Sequence, residues 1–140
     1  MQLNQISMTT TRHDIDTEAD ITRLVNQFYE RVRQDVELGP IFTGVARVDW
    51  SHHIPRLIGF WSTVLLGTEQ YKGNPVLPHI ELAQKTAIRS AHFERWLALF
   101  TQTVDDLFIG DRAELAKMRA QSIAMVLQSK LYGAGLLRHP

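Results

Sequence analysis

Cysteine is absent from the 140 residues. That removes disulfides, thiolate nucleophiles, Cys-ligated zinc and iron–sulfur clusters together, so any metal has to come through histidine or a carboxylate. An excess of charge is missing too: 15 Lys and Arg offset 15 Asp and Glu, for a formal net charge of +0 and a pI near 7.0. With no global field to gather phosphates or anionic lipid, nucleic acid is not an expected partner. No apolar run reaches the length of a membrane span, and the opening MQLNQISMTTTRHDID lacks the apolar stretch of a signal peptide. The expectation is a soluble, cytoplasmic protein without a membrane partner. Residues 1–16 read as a disordered tail with little to bury. Residues 17–140 read as a single domain, since a hydrophobic fraction of 44% suffices for one core. Alternating strand patterns, internal repeats and low-complexity blocks are also lacking, so the fold class is all-α.

What is present is a set of apolar stripes at helical spacing. Thr17 and Asp20 suit a helix N-terminus, and Ile21, Leu24, Val25, Phe28 and Val32 recur at three- and four-residue steps on a helix running to about Gln34. Tyr29 sits at the edge of that stripe, either as a boundary residue with a wet hydroxyl or with its hydroxyl aimed into a cavity. Gly39 and Pro40 then force a turn before Ile41 and Phe42 re-enter the core. Asp49 suits the N-cap of a helix from Trp50 to about Leu66, ended by Gly67. Pro55 falls about a turn in, where it removes a backbone bond and bends the helix start. His52 and His53 point about 100° apart on a helix, and the stripe of Trp50, Ile54, Leu57, Ile58, Trp61 and Leu65, with its flank of His53, Leu57, Phe60 and Val64, makes His53 the inward one.

A further helix is expected from Thr86, with Ser90 as a plausible cap and Phe93, Trp96, Leu97, Phe100, Val104, Leu107 and Phe108 on one face. Phe93, Phe100 and Phe108 read as core. Trp96 is open, because a buried indole needs an acceptor for its N–H and a ligand can supply one. Asp111 and Glu114 look like the capping box of a last helix whose Leu115, Met118, Ser122, Ile123, Val126 and Leu127 face inward until Gly133.

Between the second helix and the aromatic one lies YKGNPVLPHIEL, Tyr71 to Leu82. Gly73, Asn74, Pro75 and Pro78 rule out a continuous helix, leaving His79 on a short rigid lead-in beside Ile80 and Leu82. Such a segment can put a neutral imidazole nitrogen into a dry pocket, as an axial haem ligand requires. A half-buried histidine donating to a backbone carbonyl is the bland alternative.

The runs FYERVRQD, LGPIF, W-x-x-H, FWSTVLLG, Y-x-G-N-P-x-x-x-H and HFERWLALF, in this order and with these separations, resemble the third group of truncated haemoglobins. The resemblance covers roughly Leu24 to Leu131. It implies a two-over-two helical sandwich around haem b, with a short or absent first helix and a reduced segment before the proximal ligand. By the same resemblance His79 is the iron ligand, Phe42 packs on the porphyrin face, and Tyr29, His53 and Trp96 line the distal side. Phe28, Leu57 and Phe60 supply apolar wall, and Arg56, Tyr71 and Lys72 are candidates to hold the propionates. His53 matches the family's distal-gate histidine. The departures are a longer N-terminal tail and Pro55 beside that gate.

Two functional classes follow. One is a haem protein that binds O2 or another diatomic ligand as carrier or sensor; the other turns over nitric oxide or peroxide. The Tyr29 hydroxyl and the Trp96 indole are donors for the partial negative charge on bound O2, and two donors imply slow release, which favours the reactive class. Turnover then needs an external reductase, since no flavin or reductase motif occurs in the sequence. A non-haem helical metal-binding module built on His53 and His79 ranks last, for want of the carboxylate–histidine spacing of helical metal sites.

Overall fold

The computed structural model describes residues 12–42, 50–68 and 88–138. Helix α1 spans Glu18–Gln34 and starts as its sequence dictates: Asp20 N–H donates to Thr17 Oγ1 at 3.2 Å, while Thr17 N–H donates to Asp20 Oδ2 at 3.1 Å. This reciprocal cap satisfies donors that the helix cannot. The expected stripe of Ile21, Leu24, Val25, Phe28 and Val32 is buried, at about 1.5–3 kcal/mol per large side chain. Asp35, in extended backbone, ends the helix, and a short helical turn over residues 39–42 brings Ile41 and Phe42 back to the core.

Helix α2 spans Trp50–Leu66, contains Pro55, and stops at Gly67, whose φ of 75° is the left-handed cap a glycine adopts without strain. Asp49, the expected cap at its other end, lies outside the described residues. Helix α3 spans Ser90–Leu107 and helix α4 Asp111–Gly133. Two helix pairs result, α1 with α2 and α3 with α4, joined through α1 lying against α3. This is the two-over-two sandwich of an all-α domain. Phe28, Phe100 and Phe108 are its largest fully buried side chains.

Five details differ from the sequence reading. The tail was taken to run loose to residue 16, yet Ile15 is fully buried and His13 bridges to Phe108, with Ile109 N–H donating to the His13 carbonyl at 3.0 Å. One buried isoleucine and a set of long-range hydrogen bonds hold what the tail's polar composition hid. The helix expected from Thr86 starts at Ser90; Arg89 is its N-cap residue, and Arg89 N–H donates to His92 Nδ1 at 2.9 Å. Strands were not expected, but Ile88–Arg89 (β1) pairs in parallel with Leu137–Arg138 (β2), a two-residue ladder too short to leave a sequence pattern.

The other two concern α4. Its buried face is Ala113, Ala116, Ala120, Ala124, Leu127 and Leu131, while Met118 and Val126, expected inside, are exposed and Ser122 with them. Small alanines let α4 approach its neighbours closely, so packing geometry overrode residue size. Its N-cap is Gly110 and not Asp111, and the capping carboxylate comes from the tail: Arg112 N–H and Ala113 N–H donate to Asp14 Oδ2 and Oδ1 at 3.0 and 2.9 Å. Gly110 sits at φ 143°, and a Cβ there would collide with the Asp14 side chain. Arg112 completes the tie by donating from Nε to the Leu65 carbonyl at 3.2 Å and pairing with Asp16 at 3.3 Å.

Candidate functional site

The inward face of α1 carries Phe28 and Tyr29 side by side, and α3 brings Trp96 and Phe100 against them. Phe28 meets Tyr29, Trp96 and Phe100 edge to face, with ring centroids 4.6, 5.5 and 5.1 Å apart. From α2, Trp61 stacks on Phe100 at 4.9 Å, and Phe100 stacks on Trp96 at 5.8 Å. The result is an aromatic wall at separations where such rings attract.

One polar pair is set into that wall. Tyr29 is buried, and its hydroxyl accepts a hydrogen bond from the Trp96 indole, which has a donor and no acceptor. Burial pushes the phenol pKa up to about 12, and the indole N–H offsets only part of that rise. Tyr29 is therefore protonated at any physiological pH. Because its oxygen is taken by Trp96, its own O–H is the donor left to the pair.

His53 on α2 is half-buried beside Tyr29, ring centroids 5.7 Å apart, whereas His52 is exposed, as their 100° separation requires. Phe42, Leu57 and Phe60 are half-buried and packed against the core, Phe60 edge-on to Trp61 at 5.3 Å. Arg56 is exposed on the same helix. Tyr71, Lys72 and His79 lie outside the described residues.

Two contributors had no visible signal. Asp35, whose side chain is 2% exposed, takes Arg95 Nε and Nη2 on Oδ1 at 2.8 and 2.6 Å, and the Leu38 and Glu37 N–H groups on Oδ2 at 3.0 and 3.1 Å. Burial alone would raise this carboxyl's pKa; the hydrogen bonds from Arg95 and then from Leu38 and Glu37 outweigh it and hold the pKa below the ordinary value. The pair thus ties the turn that delivers Phe42 to the helix position just before Trp96. An aspartate and an arginine 60 residues apart form no local motif. Trp50 stands in the sequence only as the start of a helix, a member of its stripe and the head of the W-x-x-H run, with no role of its own, yet its ring touches Tyr29, Phe42 and His53.

The model of the bacterial-like globin family matches residues 12–129. The chain therefore belongs to the bacterial-like globins and, within them, to the third group of truncated haemoglobins. A group 3 truncated hemoglobin of Campylobacter jejuni subsp. jejuni is 34% identical over 121 residues, covering 84% of this chain and 93% of that protein. The crystal structure of group III truncated hemoglobin from Campylobacter jejuni superposes with a TM-score of 0.75 at 31% identity, over 87% of this chain and 96% of that one. Membership of the globins implies haem binding and the binding of small ligands at the haem.

The residues present fit such a group. Phe42, Leu57, Phe60, Val64, Trp96 and Leu97 are large apolar side chains left half-buried although they pack against the core, as the lining of a flat apolar cofactor would be. Among the described residues, no helix is long and apolar enough to cross a membrane.

Proposed function

We propose that the protein binds haem b through His79 and uses Tyr29 and Trp96 to hold a diatomic ligand, with reaction of that ligand and not O2 delivery as its role. The observation that carries this is the buried Tyr29 phenol, oriented by the Trp96 indole inside an aromatic wall. The haem supplies an iron position at which O2 or nitric oxide binds. The chain supplies the rest. Trp96 occupies one acceptor position on the phenol oxygen and leaves the Tyr29 O–H as the pair's donor to the ligand, and a donor already polarised by an incoming hydrogen bond donates more strongly. Phe28, Leu57 and Phe60 keep water away from that bond, where low dielectric strengthens it. Phe42 would pack on the face of the cofactor, and the exposed Arg56, with Tyr71 and Lys72, would pair with its propionates.

A ligand held this way leaves slowly, which suits chemistry with a second small molecule, nitric oxide or peroxide, better than supply of O2. Such turnover needs electrons from an external reductase, and a cytoplasmic location gives access to one. The carrier or sensor reading differs by one feature, fast release. The test of haem binding is His79→Ala, expected to lose the Soret band or to regain it only with added imidazole; an unchanged spectrum and haem content overturns the assignment. The test of role is to mix O2-loaded protein with nitric oxide, and ferric protein with peroxide and a reductant. Release of O2 within milliseconds, with no conversion faster than free haemin, would leave the carrier or sensor reading.

A further inference from the structure

Helix α4 keeps its small residues inside and its large ones in water. Ala113, Ala116, Ala120 and Ala124 are buried, while Met118, Met125, Val126 and Tyr132 are 64, 64, 50 and 63% exposed. Six large apolar side chains are exposed among the described residues, and these are four of them, so the exposure is gathered on one helix and not scattered singly as on an ordinary surface. Met118, Met125 and Tyr132 follow one another at seven residues, close to two helical turns, and therefore form one line. The exposed Ser122 and Ser129 lie along the same line.

Charge is gathered there too. From Leu115 to Pro140 the sequence holds Lys117, Arg119, Lys130 and Arg138 and no acid, although the whole chain is balanced. Lys117 is neutralised, since Asp105 and Glu114 hold it at 2.7 and 2.8 Å. Arg119 and Lys130 are exposed and form no ion pair with a described residue. Eleven residues is about three turns, so these two cations share one side of the methionine line, with Val126 between them. An apolar line on a convex helix, flanked by cations without counter-charges, suits the headgroup layer of a bilayer, where long cationic side chains reach phosphates while the apolar ones enter.

We propose that this ridge docks the protein on an anionic lipid surface, with Met118, Met125, Val126 and Tyr132 entering the headgroup layer and Arg119 and Lys130 binding lipid phosphates. A second copy of the chain is a poorer occupant. Two ridges packed in parallel set Arg119 and Lys130 against their own counterparts; packed antiparallel, with Met118 on the second copy's Tyr132, they set Arg119 beside the second copy's Lys130. Like charges meet either way. A stable protein interface needs about 800 Å² per partner, whereas a line about 21 Å long and about 10 Å wide offers about 200 Å². A bilayer sets no such minimum, because apolar insertion and phosphate contacts add up to reversible attachment. The expectation of no membrane partner came from net charge, which is a sum and keeps no record of where the charges sit.

The experiment uses the full-length, haem-loaded protein with vesicles of phosphatidylcholine alone, or of phosphatidylcholine and phosphatidylglycerol in equal parts, and reads the protein that sediments with them. The protein is expected to sediment with the anionic vesicles only, and to be released as salt is raised, since the Debye length falls to about 3 Å at 1 M. Arg119→Gln with Lys130→Gln should weaken binding about thirtyfold, at about fivefold per cation. Met118→Gln with Met125→Gln should weaken it at every salt concentration. All four side chains are exposed, so thermal unfolding and the Soret band of the variants should match the parent, which separates lost docking from a lost fold. No sedimentation with either vesicle overturns the proposal and leaves the ridge to a protein partner. Equal sedimentation with both vesicles, or binding indifferent to all four substitutions, overturns it as well. So does a lipid-free dimer that Met125→Gln abolishes, because a second copy then covers the ridge.

Discussion

Replacing Asp35 with alanine takes away one carboxylate that serves Arg95 twice and the Leu38 and Glu37 N–H groups once each. The losses are unequal. The Arg95 side chain is 47% exposed and Glu37 is exposed, so water replaces most of what they lose. Leu38 is buried, and its N–H is left without an acceptor, which costs about 1–3 kcal/mol. Adding the lost charge-assisted bonds to the turn puts the total at about 2–3 kcal/mol. With an m-value of about 1.5 kcal/mol/M, that moves a urea midpoint down by roughly 1.5–2 M. Asp35→Asn should cost a similar amount, because its amide nitrogen must face either the guanidinium or the two backbone donors. The pH dependence has a fixed sign. The folded carboxyl titrates below its unfolded value of about 3.9, so its stabilisation is present above that pH and is lost as pH falls through the lower folded value. The gap between parent and variant should therefore be full at pH 7 and close in strong acid. A midpoint within 0.3 M (roughly 0.5 kcal/mol) of the parent at pH 7, or a gap indifferent to acid, would refute the reasoning.

Tyr29→Phe should speed O2 release roughly ten- to a hundredfold, the equivalent of about 1.5–3 kcal/mol for one donor to a charged acceptor. Trp96→Phe should have a smaller effect that disappears once Tyr29 is Phe, since the indole acts through the phenol; stopped-flow rates within twofold of the parent for both single variants would mean an apolar pocket in practice. Asp14→Ala should lower stability by about 1 kcal/mol, as for loss of a helix cap, with its largest effect on hydrogen exchange in the first turn of α4. Gly110→Ala should be costlier, because it adds a strained φ to a collision with Asp14, and it should cost less in the Asp14→Ala background; strict additivity of the two in thermal unfolding counts against the contact.

The parts of the molecule legible in the sequence are those whose cause is local. The α1 stripe, the Thr17–Asp20 cap and the Gly67 stop each need only residues within a turn or two of one another, and each is found where the spacing placed it. The split between His52 and His53 is equally local, being fixed by helical rotation. The misplaced face of α4 shows the limit. Met118 and Val126 are larger and more apolar than the alanines, but a close helix crossing selects side chains that fit and not those that would bury most area. Asp14, Asp35 and Arg95 were illegible for another reason: the contacts that tie separate elements together reach 60 or more residues along the chain, and a single charged residue in sequence looks like a solvated one. The family resemblance named Tyr29 and Trp96 as donors. The hydrogen bond that orders them, one feeding the other, could only come from coordinates.

The cap that Asp14 places on α4 has a consequence in time. The chain is made from its N-terminus, so the carboxylate leaves the ribosome 98 residues before the amide it will bind. At about 5–20 residues per second, it waits on the order of 5–20 s for Arg112 to appear. During that wait α1 can form, because its cap is built from its own Thr17 and Asp20. Helix α4 has no such local cap, since Gly110 brings no side chain and the Arg112 and Ala113 N–H groups are taken by Asp14. A helix that is synthesised late is thus completed by a segment that is synthesised early. Docking of that segment waits for Arg112 and Ala113, and a nascent chain halted before Arg112 would carry its Asp14 with no helix end to receive it.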